Sequence, residues 1–221
     1  MGRRALNCRS FEQKNCSNTR EWQDYENGAS EPPRILAILA STLEKTILKN
    51  EKLLKASHEK KDVVTIFHGS RAPTLSIRQY IERIFKYANC SPSCFVVAYV
   101  YMETFLRRTN GHLTSLNVHR LLITSFMLAV KFLEDECYNN VYYAKVGGIT
   151  TAEINRLEMK LLVAVDFRLH VSIQTFDHFC FQLEEEAARE KSRIERPFRL
   201  CGLGKSFTNK DGSSFASTTP G

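Results

Sequence analysis

Ser115 to Asp135 reads SLNVHRLLITSFMLAVKFLED. Between Leu116 and Leu133 the only charged residues are Arg120 and Lys131. Leu121, Leu122, Ile123, Phe126, Met127, Leu128, Ala129, Val130, Phe132 and Leu133 point in nearly every direction around a helix. A helix that is apolar all round must be buried all round. The run is too short and too interrupted to span a bilayer, which takes roughly 20 consecutive apolar residues. At 1.5 Å per residue it would be about 30 Å long, roughly the width of a small domain. The stretch therefore predicts the central rod of a helical bundle. Its last turn holds Lys131 and is followed by Glu134, Asp135 and Glu136. Carboxylates there face the negative end of the helix dipole, at a cost of roughly a few tenths of a kcal/mol each. A local rule broken at a helix end is the first place to look for function.

Outward from this rod, helices succeed one another on both sides. Upstream, Ser76 with Gln79 forms a capping-box pattern opening a helix with the stripe Ile77, Tyr80, Ile81, Ile84, Phe85 and Ala88. Ser91 as N-cap with Pro92 at the first position starts the next. Its core face is Phe95, Ala98, Tyr99, Met102, Phe105 and Leu106, and Asn110-Gly111 ends it. Downstream, a short helix runs from about Asn139-Asn140 to Gly147-Gly148. Thr150 and Glu153 then make a second capping-box pattern before Ile154, Leu157, Leu161, Ala164 and Val165. Ser172 caps a last helix with Phe176, Phe179 and Leu183 inward. No run shows strand-type alternation, so the expected fold is all-α.

The flanks differ from this core. Residues 1–30 are polar and without sustained periodicity, and are expected to be disordered. Residues 31–74 hold a flanking helix entered at Pro32-Pro33, with the stripe Leu36, Leu39, Leu43, Ile47 and Leu54, followed by a loop at His68–Thr74. Residues 75–186 are the core domain. From Ala187 to Gly221 the chain is charged and then rich in Gly, Ser and Thr, and reads as a disordered tail.

Charge excludes some functions. The 221 residues carry a formal net charge of +7. Residues 75–186 hold 11 Lys and Arg against 12 Asp and Glu, so the basicity belongs to the flanks. Nucleic-acid binders cluster positive charge on a folded face, and this pattern speaks against one. The seven cysteines form no CxxC pair, and the spacing of Cys90 and Cys94 has no second pair to complete a zinc site. A reduced, intracellular chain is the simplest reading. No apolar leader follows Met1, and Leu6 stands where a myristoylation signal needs Ser or Thr.

No catalytic constellation appears, and no cofactor or metal is expected. The six histidines are scattered, and His119 beside Arg120 reads as a packing or hydrogen-bonding residue. Gly147-Gly148 lacks the GK[ST] ending of a phosphate loop and reads as a helix stop. Glu184-Glu185-Glu186 reads as a solvated helix end.

The run HRLLITSFMLAVKFLEDECYNNVYYAKVGGITTAEINRLEMKLLVAVDFRL, His119 to Leu169, closely resembles plant U-type cyclins, also called P-type. These are similar in turn to the fungal phosphate-signalling cyclins. The resemblance extends through SIRQYIERIFKYANCSPSCFVVAYVYMETFL (Ser76–Leu106) and QTFDHFCFQL (Gln174–Leu183), roughly half of the chain. It implies a single five-helix cyclin box whose third helix is central. It also implies a non-enzymatic regulatory subunit for a cyclin-dependent kinase, of the plant A-type, in cell-cycle or phosphate signalling. No membrane and no small-molecule substrate are implied. In cyclins a lysine near the end of the third helix and a glutamate on the fifth contact the kinase. The matching positions are Lys131 in AVKFLED and Glu158 in NRLEMKLL.

There are departures from other cyclins. SIRQYIERIFKY lacks the MRAIL-type docking patch of mitotic cyclins, no destruction-box pattern stands out in residues 1–30, and the stretch after Glu186 is too polar for a second box. The competing reading is a cyclin-box module outside kinase regulation, such as a transcription-factor-IIB-like nucleic-acid binder or a scaffold.

Overall fold

The computed structural model describes residues 32–56 and 63–194, with side chains through Arg189. The expectations for residues 1–30 and 195–221 lie outside the described residues. Within them the chain forms seven α-helices and no strand. They are α1 Arg34–Ala56, α2 Ile77–Ala88, α3 Ser93–Thr109, α4 Val118–Leu133, α5 Asn140–Gly147, α6 Thr151–Ala164 and α7 Ile173–Ile194.

α4 is the central rod. Every residue from Leu121 to Val130 is buried, and α2, α3, α5 and α6 all pack against it. These five helices form the bundle around a central rod that the apolar run predicts, and their arrangement is the one that the resemblance implies. α1 lies against α2 and α7, and α7 also meets α3. At the centre the Phe126 ring sits 4.5 Å from that of Phe95 and 6.3 Å from that of Tyr143. Among the described residues no helix is long and apolar enough to cross a membrane.

Local chemistry sets the boundaries. Ser76 and Gln79 form the full reciprocal capping box at the start of α2. Asn89 and Asn110 close α2 and α3 in the left-handed region, which asparagine tolerates better than most residues. Gly148 ends α5 at φ 70°. Its neighbour Gly147 has a different task, because a Cβ there would lie 2.8 Å from the Ile123 side chain. The missing side chain lets the end of α5 settle directly on α4.

The structure corrects several expectations. α4 begins at Val118, not Ser115, because Asn117 accepts the Thr114 N–H through Oδ1 at 2.9 Å and holds residues 114–117 in a turn. Phe132, which the apolar run places among the buried residues of this helix, is 47% exposed. α3 starts one residue later than expected, with Ser91 Oγ accepting the Ser93 N–H from just outside it. It is also buried on more than one stripe, since Cys94, Val96, Val97, Val100 and Tyr101 are covered too. Thr150 caps α6 through the Glu153 N–H, but the Glu153 carboxylate turns away to pair with Arg120 at 2.7 Å. The capping box there is only half made. α7 passes Glu186 and runs to Ile194, where the fading apolar pattern had predicted disorder from residue 187.

Candidate functional site

Lys131 in the last turn of α4 and Glu158 in the middle of α6 meet, with Lys131 Nζ 2.6 Å from Glu158 Oε1. The ammonium also donates to Asn140 Oδ1 at the start of α5. The Asn140 amide in turn donates to Glu158 Oε2 and to Asn155 Oδ1, each at 2.7 Å. Ammonium can only donate and carboxylate can only accept, so the orientation of the Asn140 amide is fixed by its partners. Three helices are thus tied together at one point near the surface. The Lys131 and Glu158 side chains are 30% and 17% exposed, respectively. Holding both in one geometry before any partner arrives removes rotamer freedom that binding would otherwise have to remove.

Each of the three bonded residues is followed in sequence by an exposed apolar one: Phe132, Val141 and Met159. Val163 and Phe167 continue from Met159 at intervals of four, at the end of α6 and just beyond it, and are exposed as well. Phe167 is 62% exposed and holds φ 53°, after Asp166 at φ 59°. A bulky residue in the left-handed region is an outlier, costing on the order of 1–3 kcal/mol, and such strain concentrates at functional positions. Exposed large apolar side chains, where they group together, mark protein-docking surfaces.

The resemblance to cyclins picked out Lys131 and Glu158, and the structure brings them together. Sequence reasoning missed Asn140, Asn155 and the exposure of Phe132. A signal for Phe132 existed: its place directly after Lys131, outside the unbroken buried run that ends at Val130. Nothing local marks Asn140, whose partners are 9, 15 and 18 positions away.

The acidic end of α4 has a structural explanation. Glu134 Oε1 accepts the Ser91 N–H at 3.0 Å and the Cys94 thiol at 3.3 Å. Its charge is unfavourable at the end of its own helix but favourable at the N-terminus of α3, where backbone N–H groups lack partners. Asp135 and Glu136 are exposed. His119 is a hydrogen-bonding residue, as expected: its Nε2–H donates to the Leu75 carbonyl at 2.9 Å and its ring meets Tyr80 edge-on. Burial lowers its pKa, against the opposing effect of that hydrogen bond. Among the described residues no cluster of His, Cys, Asp and Glu could hold a metal ion.

Comparison with known proteins agrees with this architecture. The family model described as Cyclin matches residues 14–169, well over half of the chain. Cyclin-P3-1 of Oryza sativa subsp. japonica is 55% identical over 157 residues, which cover 71% of this chain and 66% of that protein. Cyclin-U3-1 of Arabidopsis thaliana is 50% identical over 182 residues, covering 81% and 80% respectively. Cyclin-U1-1 of the same plant is 48% identical over 155 residues, covering 70% and 74%. The likenesses support a cyclin's regulatory role. The chain belongs to the cyclin family, with plant P-type and U-type cyclins as its relatives.

Proposed function

We propose that this cyclin is the non-enzymatic regulatory subunit of a cyclin-dependent protein kinase of the plant A-type. The kinase docks on the face formed by α4, α5 and α6, with Lys131 and Glu158 at its polar centre. The observation that carries this reading is the bonded cluster Lys131–Asn140–Glu158, on helices that also expose Phe132, Val141 and Met159. A protein kinase turns over only when the lysine–glutamate ion pair of its N-lobe is formed. A rigid helical face that binds the kinase with that glutamate's helix turned inward shifts the population towards the active state. The face offers aromatic and aliphatic anchors for such a helix and a fixed charged pair to set its register. The complex acts in cell-cycle control or phosphate signalling, in the nucleus or cytoplasm. The near-neutral charge of residues 75–186 gives no support to nucleic-acid binding.

The test is purification of tagged full-length chain from plant extract, followed by a protein-kinase assay on the bound fraction. Kinase activity should co-purify, and should be lost when Lys131 and Glu158 are both changed to Ala. Recovery of nucleic acid with no kinase activity would overturn the reading.

A further inference from the structure

The polar cluster at Lys131 has donors left over, and the chemistry of its members fixes where they lie. Ammonium only donates, so the end of the Asn140 amide that meets Lys131 Nζ is Oδ1. Carboxylate only accepts, so the end that meets Glu158 Oε2 at 2.7 Å is the NH2 group. The second hydrogen of that NH2 goes to Asn155, 2.7 Å away, which must turn its own Oδ1 inward to accept it. The Asn155 NH2 group therefore lies on the far side of its amide from the cluster. Asn155 is exposed, and its Nδ2 has no acceptor among the described residues.

Both Asn155 N–H bonds are thus unspent. So is one of the three on the Lys131 ammonium, whose others go to Asn140 and, at 2.6 Å, to Glu158. Lys131 and Asn155 are bonded to the two ends of one carboxamide, so their spare donors sit close together. In the free chain water accepts from them. A partner that covers them must bring acceptors of its own, because a covered donor left without one costs about fivefold or more in affinity. Backbone carbonyls, which accept and do not donate, match this arrangement.

We propose that Asn155 is a specificity-determining residue of the kinase-docking face, its amide held by Asn140 so that its NH2 group donates to backbone carbonyl oxygens of the kinase. Asn140 acts through Asn155 and is a positioning residue. The proposal rests on the kinase-docking reading and adds to it a direct contact from α6, at a residue outside the Lys131–Glu158 ion pair.

The experiment titrates tagged full-length chain into plant extract and reads the concentration that captures half of the bound protein-kinase activity, beside a thermal melt. Asn155→Asp keeps an oxygen for the Asn140 NH2 group and replaces the outward donors with an acceptor. Asn155→Ala removes both. The half-capture concentration should rise at least about fivefold for Asn155→Ala and further for Asn155→Asp. Asn155 is exposed, so both variants should keep the thermal midpoint. Lys131→Ala reports on the docking face itself. Weakened capture by Lys131→Ala, with Asn155→Asp capturing as the unmodified chain does, overturns the role of Asn155 and leaves the docking reading standing. Absence of kinase activity on the unmodified chain overturns both. A lower midpoint with capture intact in the Asn155 variants assigns the residue to the fold alone and also overturns the proposal.

Discussion

Lys131 and Glu158 stand 27 positions apart, on different helices, and are joined by a 2.6 Å ion pair that Asn140 closes from a third helix. A pair this exposed contributes on the order of 1 kcal/mol or less to folding. Were its purpose structural, truncation would lower stability and leave partner binding intact. The kinase-docking reading expects the reverse balance. Lys131→Ala and Glu158→Ala should each weaken kinase capture by about thirtyfold, or about 2 kcal/mol, with only a small loss of stability. Lys160→Ala, also on α6 and exposed, should change neither. A thermal melt and a pull-down titration on the three variants decide the matter.

Phe167, just beyond the end of α6, offers a separate test of the docking reading. Its backbone sits at φ 53°, which glycine adopts without penalty. Phe167→Gly should therefore keep or raise the thermal midpoint even though a large side chain is lost. The exposed ring gives little packing in the isolated chain, so its value would lie in the complex. Kinase capture should fall severalfold in the variant. A lower midpoint with unchanged capture would show that the ring stabilises the fold and does not serve the partner.

Phe126 tests the core. It is fully buried on α4 and flanked by Phe95 and Tyr143. Removing a buried phenyl ring costs about 3–5 kcal/mol, through lost transfer energy and the cavity left behind. Phe126→Ala should lower the thermal midpoint by at least about 10 °C in a domain of this size. A shift of a degree or two would show that α4 is not the organising helix.

Much of this architecture is legible in the sequence because local chemistry dictates it. The apolar run Leu121–Val130 can only be buried, and Ser76, Asn139, Thr150 and Ser172 each mark a helix start by accepting a backbone N–H. What local pattern cannot show is a partner chosen by tertiary placement. Glu153 fits a capping box by spacing, yet Arg120 on α4 takes its carboxylate. Glu134 looks misplaced until Ser91 is seen beside it. The extension of α7 past Glu186 rests on strong helix formers and on the Arg189–Glu185 pair one turn apart. An apolar stripe records none of these. At the site, the spacing of 27 residues between Lys131 and Glu158 carries no signal by itself, and the resemblance to known cyclins supplied it.

His119 gives the fold a pH dependence. Burial holds its pKa below the ordinary value of 6.5, while its Nε2–H donates to the Leu75 carbonyl. Below about pH 6.5 the unfolded chain takes up a proton at this position before the folded one does. Stability from this group is therefore complete above pH 6.5 and falls as the pH drops below it. His119→Gln replaces the titrating ring with an amide that does not titrate. The midpoint of the variant should lie below that of the unmodified chain at pH 7.5, and the two should converge towards pH 5. Melts at several pH values check this, and parallel curves would show that His119 does not contribute.

Glu134 separates structural from functional charge at the end of α4. Its carboxylate caps the first turn of α3 through the Ser91 N–H and accepts the Cys94 thiol. Glu134→Gln keeps an acceptor of nearly the same shape and loses the charge. It should cost only the dipole interaction, roughly 0.3–1 kcal/mol. Glu134→Ala also leaves the Ser91 N–H without its partner, and should cost about 1–3 kcal/mol. The order Ala below Gln below unmodified in thermal midpoint is the signature of a cap, because a carboxylate that merely faced solvent would give three equal midpoints. The same variants bear on the docking face, which begins three residues earlier at Lys131. A cap acts on the end of α3 and contributes no group to the partner, so both variants should capture kinase as the unmodified chain does once folded. Loss of capture in Glu134→Gln, at unchanged stability, would instead move the carboxylate into the binding surface.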